Sequence, residues 1–441
     1  MRALYTLLWY IALPFLPLRL LWRGRREPGY RERIGERFGR YRADDRRPSG
    51  PVLWVHAVSL GETRAAVPLV DHLRHAYPQA TLLVTHMTAT GRAAGHALFG
   101  DRVMQAWLPY DVPIAVRAFL AHWRPRALLI METELWPNTI ALARDAGIPV
   151  FLVNARMSQR SADGYARVSS LTRPMLAALT GVAAQSEADA ARLSTLGAPV
   201  PVVTGNLKFD IAISDTGVAL GRELRLLFGE SRPVWLAAST RDGEEALILD
   251  AIGATVLPPK SLTVIVPRHP QRFAEIAAML RERGTPFARR SDNAPVPEDT
   301  DVVLGDSMGE MQGYCAAVDV VFVGGSLLPL GGQNLIEPIA AGRPTLVGPH
   351  MWNFAEATEN ALAAGAAHAV PDARALVAEV AALIGDPARR AAMREAARAF
   401  HRKHGGAAER LWRWLAPQLD GAMAKGSTAT GSREVSPSTG D

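Results

Sequence analysis

The chain has 441 residues, 48% hydrophobic and 21% charged, a balance that suits a folded protein too long for one compact core. Its single cysteine, Cys315, excludes a disulfide framework and a cysteine-built zinc site, and reads as a small buried apolar residue in a reducing compartment. A formal charge of +6 points to acidic partners without choosing among lipid head groups, phosphates and nucleic acid.

From Ala3 to Trp22 the sequence is almost wholly apolar, with Arg19 its only charge. That is roughly the length of a spanning helix, and residues 1–24 read as a membrane anchor. Pro14 and Pro17 would kink it, so a helix lying along the bilayer is the alternative. No small-residue cleavage pattern follows, which argues against a secretory signal. Arg23, Arg25, Arg26, Arg31, Arg33, Arg37 and Arg40 come next. By the positive-inside rule this flank and everything after it stay cytoplasmic, and the arginines suit anionic phospholipid. Nucleic-acid binding needs a basic stripe interleaved with aromatics, which this clustering does not supply.

After Pro51 short apolar runs alternate with helical stretches. Candidate strands are 51–58, 80–87, 127–133, 148–156, 181–185 and 200–205, and a second series follows at 233–239, 261–267, 301–306, 319–326 and 343–348. Apolar strands separated by helices mean parallel sheets covered on both faces. The two series begin alike, VLWVHAVSLGET and PVWLAASTRDGEE. The pattern predicts two doubly wound α/β domains, 25–212 and 213–422, with helices from about Leu376 to Leu415 completing the second. Residues 423–441 carry too little apolar content to fold.

Ligands of open α/β sheets sit at the carboxyl ends of the strands. Six segments lie there. In SLGET (59–63) Ser59 is a helix N-cap and Glu62 falls in the first turn. Helix-start amides and the dipole favour its carboxylate form, suiting a general base, or the acid simply complements the dipole. In METELWPN (131–138) Glu132 and Glu134 close an apolar strand, facing a polar crevice or starting a helix. Lys208 of GNLKFD lies near the domain junction, either meeting developing negative charge or solvated in a linker.

In VPRHP, Arg268 ends a strand where a guanidinium grips a phosphate, with His269 beside it. GDSMGEM carries Gly309, which permits backbone approach to a flat ring or merely turns the chain. GGSLLPLGGQNLIEP leads from a strand through two glycine pairs into a short helix starting near Asn334, an arrangement that suits an anion, with Glu337 available to ribose hydroxyls. No G-x-G-x-x-G, Walker or H-E-x-x-H motif occurs, and Asp299-Thr300-Asp301 reads as a solvated turn rather than a metal-binding D-x-D.

HAVSLGET, PYDVP, METELWPN, NARMSQRSADGY, GNLKFD, PRHP, MGEM and GGSLLPLGGQNLIEP together closely resemble the Kdo transferases of lipopolysaccharide biosynthesis, in order along nearly the whole chain. The resemblance implies a GT-B glycosyltransferase fold, two doubly wound Rossmann-like domains facing a cleft, with an N-terminal membrane helix. It implies metal-independent, inverting transfer of Kdo from CMP-Kdo to the tetraacylated lipid A precursor, with no cofactor, at the cytoplasmic face of a Gram-negative inner membrane. It assigns Glu62 as general base and Glu132 and Lys208 to transition-state stabilisation. It assigns CMP to Arg268 and His269, to Met308, Gly309 and Glu310, and to the N-x-x-E run Asn334, Leu335, Ile336 and Glu337. Gln333 and Leu335 depart from a common family form that has histidine and proline there.

Overall fold

The computed structural model describes residues 1–25, 27–41, 48–210 and 213–424. Arg26 and the stretch from Lys425 onward, read above as basic flank and unfolded tail, lie outside the described residues. The chain divides into two units, Met1–Asp210 with the stretch from Gly406, and Ile211–Gly405.

The first unit is built on seven parallel strands: β1 Val52–His56, β2 Thr81–His86, β3 Met104–Trp107, β4 Pro125–Met131, β5 Val150–Ala155, β6 Gly181–Ala184 and β7 Val202–Val203. Their spatial order is β3-β2-β1-β4-β5-β6-β7. Successive side chains alternate between two cores: Trp54, Leu128 and Leu152 point to one, Leu53, Leu129 and Phe151 to the other. With both faces covered, a strand must be apolar throughout, which is why these read as unbroken runs.

The second unit repeats the plan with β8 Val234–Thr240, β9 Leu262–Pro267, β10 Phe287–Arg289, β11 Val302–Leu304, β12 Val320–Val323, β13 Thr345–Val347 and β14 Ala367–Ala369. Their order is β10-β11-β9-β8-β12-β13-β14, all parallel. The three strands missed by the apolar pattern, β3, β10 and β14, are all edge strands of three or four residues. Runs that short carry no readable period.

One element crosses between the predicted domains. The helix Ala407–Ala424, assigned by pattern to the second domain, packs on the first: Leu411, Leu415 and Leu419 are buried with Leu53, Val55 and Phe151. The Asp210 carboxylate holds it, accepting from the Ala407 amide at 3.0 Å and from the Ala408 amide. Amphipathic periodicity says that a helix buries a face but not which sheet receives it.

Candidate active site

In the first unit, Glu62, Glu132 and Lys208 come from three strand ends and meet in one cluster. Ser59 caps the helix Leu60–Ala65 that follows β1, and Glu62 stands in its first turn. Its carboxylate accepts from the Val58 amide and from the Ser59 hydroxyl, both at 2.8 Å. These bonds favour ionisation, as expected from a helix start. Burial outweighs them, and with Glu134 and Glu132 nearby it raises Glu62 from 4.5 to about 7. The helix-start bonds pull Glu62 toward its carboxylate form as expected, but burial, with only 7% of the residue exposed, sets the net direction.

Glu132 follows β4 directly and pairs with the Lys208 ammonium at 2.7 Å. Its backbone sits in the left-handed region at φ 55°, a strained conformation for a residue with a Cβ, anchored by its amide donating to the Val153 carbonyl at 3.0 Å. Asn154, also left-handed at φ 51°, accepts from the Leu207 amide at 3.0 Å and so fixes the turn carrying Lys208. Glu134, paired with Glu132 in the motif reading but given no role by the resemblance, belongs to the same cluster. Burial, then the Glu132 charge, raises its carboxyl above the usual range. Three acids and one lysine at the carboxyl ends of strands can hold and move a proton beside a fixed positive charge.

In the second unit Arg268 and His269 follow β9. Burial, then Arg241, Arg268 and Arg272, hold His269 below its ordinary range, so a neutral imidazole sits amid guanidinium groups. Arg272 is neutralised by Glu245 at 2.7 Å and Glu275 at 2.9 Å. Met308 is exposed, and above Gly309 (φ +82°) lies open space. Glu310 is bound by Arg290 at 3.0 Å and by the Ser307 hydroxyl, which shapes this loop.

The glycine-rich run differs from its expected form. Gly324 passes so close to the Thr240 backbone that a Cβ would lie 2.6 Å from it. The Gly325, Ser326 and Leu327 amides donate to the Glu244 carboxylate, at 2.6, 3.0 and 3.0 Å. Those amides are therefore engaged by the protein itself rather than presented to an anion. The short helix spans Ile336–Ala340, later than the start near Asn334, because the Asn334 side chain accepts from the Ile336 amide at 3.0 Å in a turn before it. Leu335 and Ile336 are 0% and 2% exposed, so of this run only Asn334 and Glu337 offer partly exposed side chains. Glu244 was missed, although the sequence held its signal: Gly243-Glu244 repeats Gly61-Glu62 at the start of the second series.

Comparison with known proteins decides the family. Residues 32–211 match the family described as 3-deoxy-D-manno-octulosonic-acid (Kdo) transferase. The 3-deoxy-D-manno-octulosonic acid transferase of Bordetella pertussis is 47% identical over 421 residues, covering 93% of this chain and 97% of that protein. The chain belongs to the Kdo transferase family. It is a glycosyltransferase, as the resemblance in its motifs implied. The enzyme of the same description from Haemophilus influenzae is 39% identical, covering 80% of this chain and 84% of that one. Among solved structures, Anabaena HepE in complex with UDP aligns at a TM-score of 0.54, with 15% identity, over 84% of this chain and 100% of that one. That likeness carries the fold alone, two parallel α/β sheets of the GT-B class.

Proposed function

We propose that this Kdo transferase moves Kdo from CMP-Kdo onto a hydroxyl of the tetraacylated lipid A precursor, with inversion and without a metal ion. The observation that carries the reading is the buried Glu62, raised to about 7, beside the Lys208–Glu132 pair. An acceptor alcohol must lose its proton as it attacks, and a carboxylate with a pKa near the working pH is suited to take it. Direct displacement with Glu62 as base inverts the anomeric carbon. Lys208 offsets negative charge on the sugar acid or leaving group, held in place by Glu132.

On the donor side Arg268 faces the departing phosphate, with His269 and Arg241 flanking it. The loop Met308–Gly309–Glu310 and the side chains of Asn334 and Glu337 receive the nucleoside. Cationic side chains supply the charge neutralisation for which many sugar transferases use a metal, so added chelator should leave the rate unchanged. The N-terminal segment holds the catalytic units at the cytoplasmic face of an inner membrane, with anionic phospholipid around its arginines.

The deciding experiment incubates purified protein with CMP-Kdo and tetraacyl lipid A precursor and weighs the product. A gain of whole Kdo units carries the reading. Folded, CMP-binding protein that yields no product sinks the acceptor assignment.

A further inference from the structure

Among the described residues one helical segment, Arg2–Arg23, has the length and apolarity to cross a membrane. Both of its ends are fastened to the first unit. Near its start the Tyr5 hydroxyl donates to Asp111 at 2.9 Å, and the Thr6 and Asn138 side chains bond each other at 3.0 Å. The Trp9 ring lies 5.8 Å from Tyr110 and 6.4 Å from Trp136. Near its end Leu16 and Leu20 are buried with Tyr30, Tyr110 and Val112, and the Arg23 guanidinium lies 4.4 Å over the Tyr30 ring. Pro14 and Pro17 turn the middle through a short 3₁₀ stretch, Leu13–Phe15, without releasing either half.

Length then decides. The docked stretch from Tyr5 to Leu20 is about 22 Å at a rise of ~1.5 Å per residue. A bilayer's hydrocarbon core is about 30 Å thick and the whole segment only about 33 Å long. A helix fastened along most of its length to a charged, folded unit cannot also thread that core. Its bond to Asp111 is not casual either. Asp111 is fully buried and also accepts from the Asn138 amide at 2.9 Å and the Thr139 amide at 2.7 Å. The segment is thereby joined to the helix Pro137–Asp145, directly after the stretch bearing Glu132 and Glu134.

The opposite face is bare. Leu4, Leu8, Ile11, Phe15, Leu18 and Trp22 recur every three or four residues and are 50% to 65% exposed. No acid precedes Glu27, and Arg2, Arg19 and Arg25 are exposed along the same segment. An apolar stripe edged by arginines suits a leaflet of anionic lipid.

We infer that the segment Arg2–Arg23 lies in the membrane plane, its apolar stripe in the acyl region of one leaflet, and does not cross the bilayer. This deepens the membrane attachment proposed above and rests on it. The anchor and an acylated acceptor would then share one leaflet, with the Asp111 network tying that leaflet to the strand end bearing Glu132.

The test uses the full chain floated on vesicles containing phosphatidylglycerol, with a fluorophore on Leu4→Cys, Ile11→Cys or Leu18→Cys. The native Cys315 is buried and stays unlabelled. All three positions are exposed, so the substitutions leave the fold intact. Lipids spin-labelled near the head group should quench all three more than lipids labelled deep in the chain, in agreement within about twofold, as expected for shallow burial. Deep quenching at Ile11 with shallow quenching at Leu4 and Leu18 would mean a crossing helix and overturn the inference. Floating protein with no quenching anywhere overturns it too, leaving attachment itself intact. Protein that does not float sinks both.

Discussion

Glu62 and Glu244 hold the same station in two different sheets, each in the first turn of the helix after the opening strand of its series, each preceded by glycine. Burial raises both. Their hydrogen bonds divide them. Glu244 accepts four backbone amides, from Arg241, Gly325, Ser326 and Leu327, at 2.9, 2.6, 3.0 and 3.0 Å. A carboxylate has about four acceptor sites, so Glu244 is committed to structure. Glu62 accepts two bonds and keeps capacity for a proton. Equivalent positions serve as scaffold in one unit and candidate base in the other.

Glu62→Gln keeps the shape of the site and removes its proton acceptor. Kdo transfer should fall by roughly 10²–10⁴-fold, while CMP affinity stays within error. In the unsubstituted enzyme kcat should decline as pH falls through about 7, where Glu62 becomes protonated. A flat profile down to pH 5 would contradict the assignment, and so would loss of CMP binding in the variant.

The same residue affects stability in a direction that can be worked out. Its folded pKa of about 7 lies above the ordinary 4.5, so the folded state holds a proton that the unfolded chain releases. Stability from the neutral acid is present below about 4.5 and lost as pH rises through about 7, by up to about 3 kcal/mol. Glutamine stays neutral throughout. The melting temperature of Glu62→Gln should therefore match the parent at pH 4.5 and exceed it at pH 8. Equal melting at both pH values would show that burial does not strain the ionised form.

Glu244→Ala strands three amides of the Gly324–Leu327 turn in a buried site. The cost should be about 3 kcal/mol or more, read from urea unfolding. Because the turn precedes Asn334 and Glu337, CMP affinity should fall as well. Glu244→Gln, which supplies one acceptor oxygen and an amide nitrogen with nothing to accept, should recover little. Full CMP affinity in a folded Glu244→Ala protein would show that the turn needs no internal carboxylate.

Much of this was legible because both sheets are buried on both faces, which leaves long apolar runs in the sequence. The site was legible for a related reason: strand ends are where Glu62, Glu132, Lys208 and Arg268 interrupt those runs. What pattern could not give was balance and destination. Helix-start amides and burial pull Glu62 in opposite directions, and only the packed structure shows burial winning. Glu244 looks like a surface acid until β12 brings Gly325 over it. The return of Ala407–Ala424 to the first sheet depends on Asp210, nearly two hundred positions earlier.

That last bond yields the most informative substitution. Asp210 closes the 3₁₀ turn Leu207–Asp210, two residues after Lys208, while its carboxylate caps the returning helix. Removing the cap in Asp210→Ala should cost about 1–2 kcal/mol in urea unfolding. The loosened turn should also release Lys208 from Glu132, so kcat should fall at temperatures where the variant is fully folded. Asparagine caps helices nearly as well as aspartate, so Asp210→Asn should restore both stability and kcat. If Asp210→Asn were as slow as Asp210→Ala yet fully stable, the charge of Asp210, rather than its cap, would be what Lys208 feels.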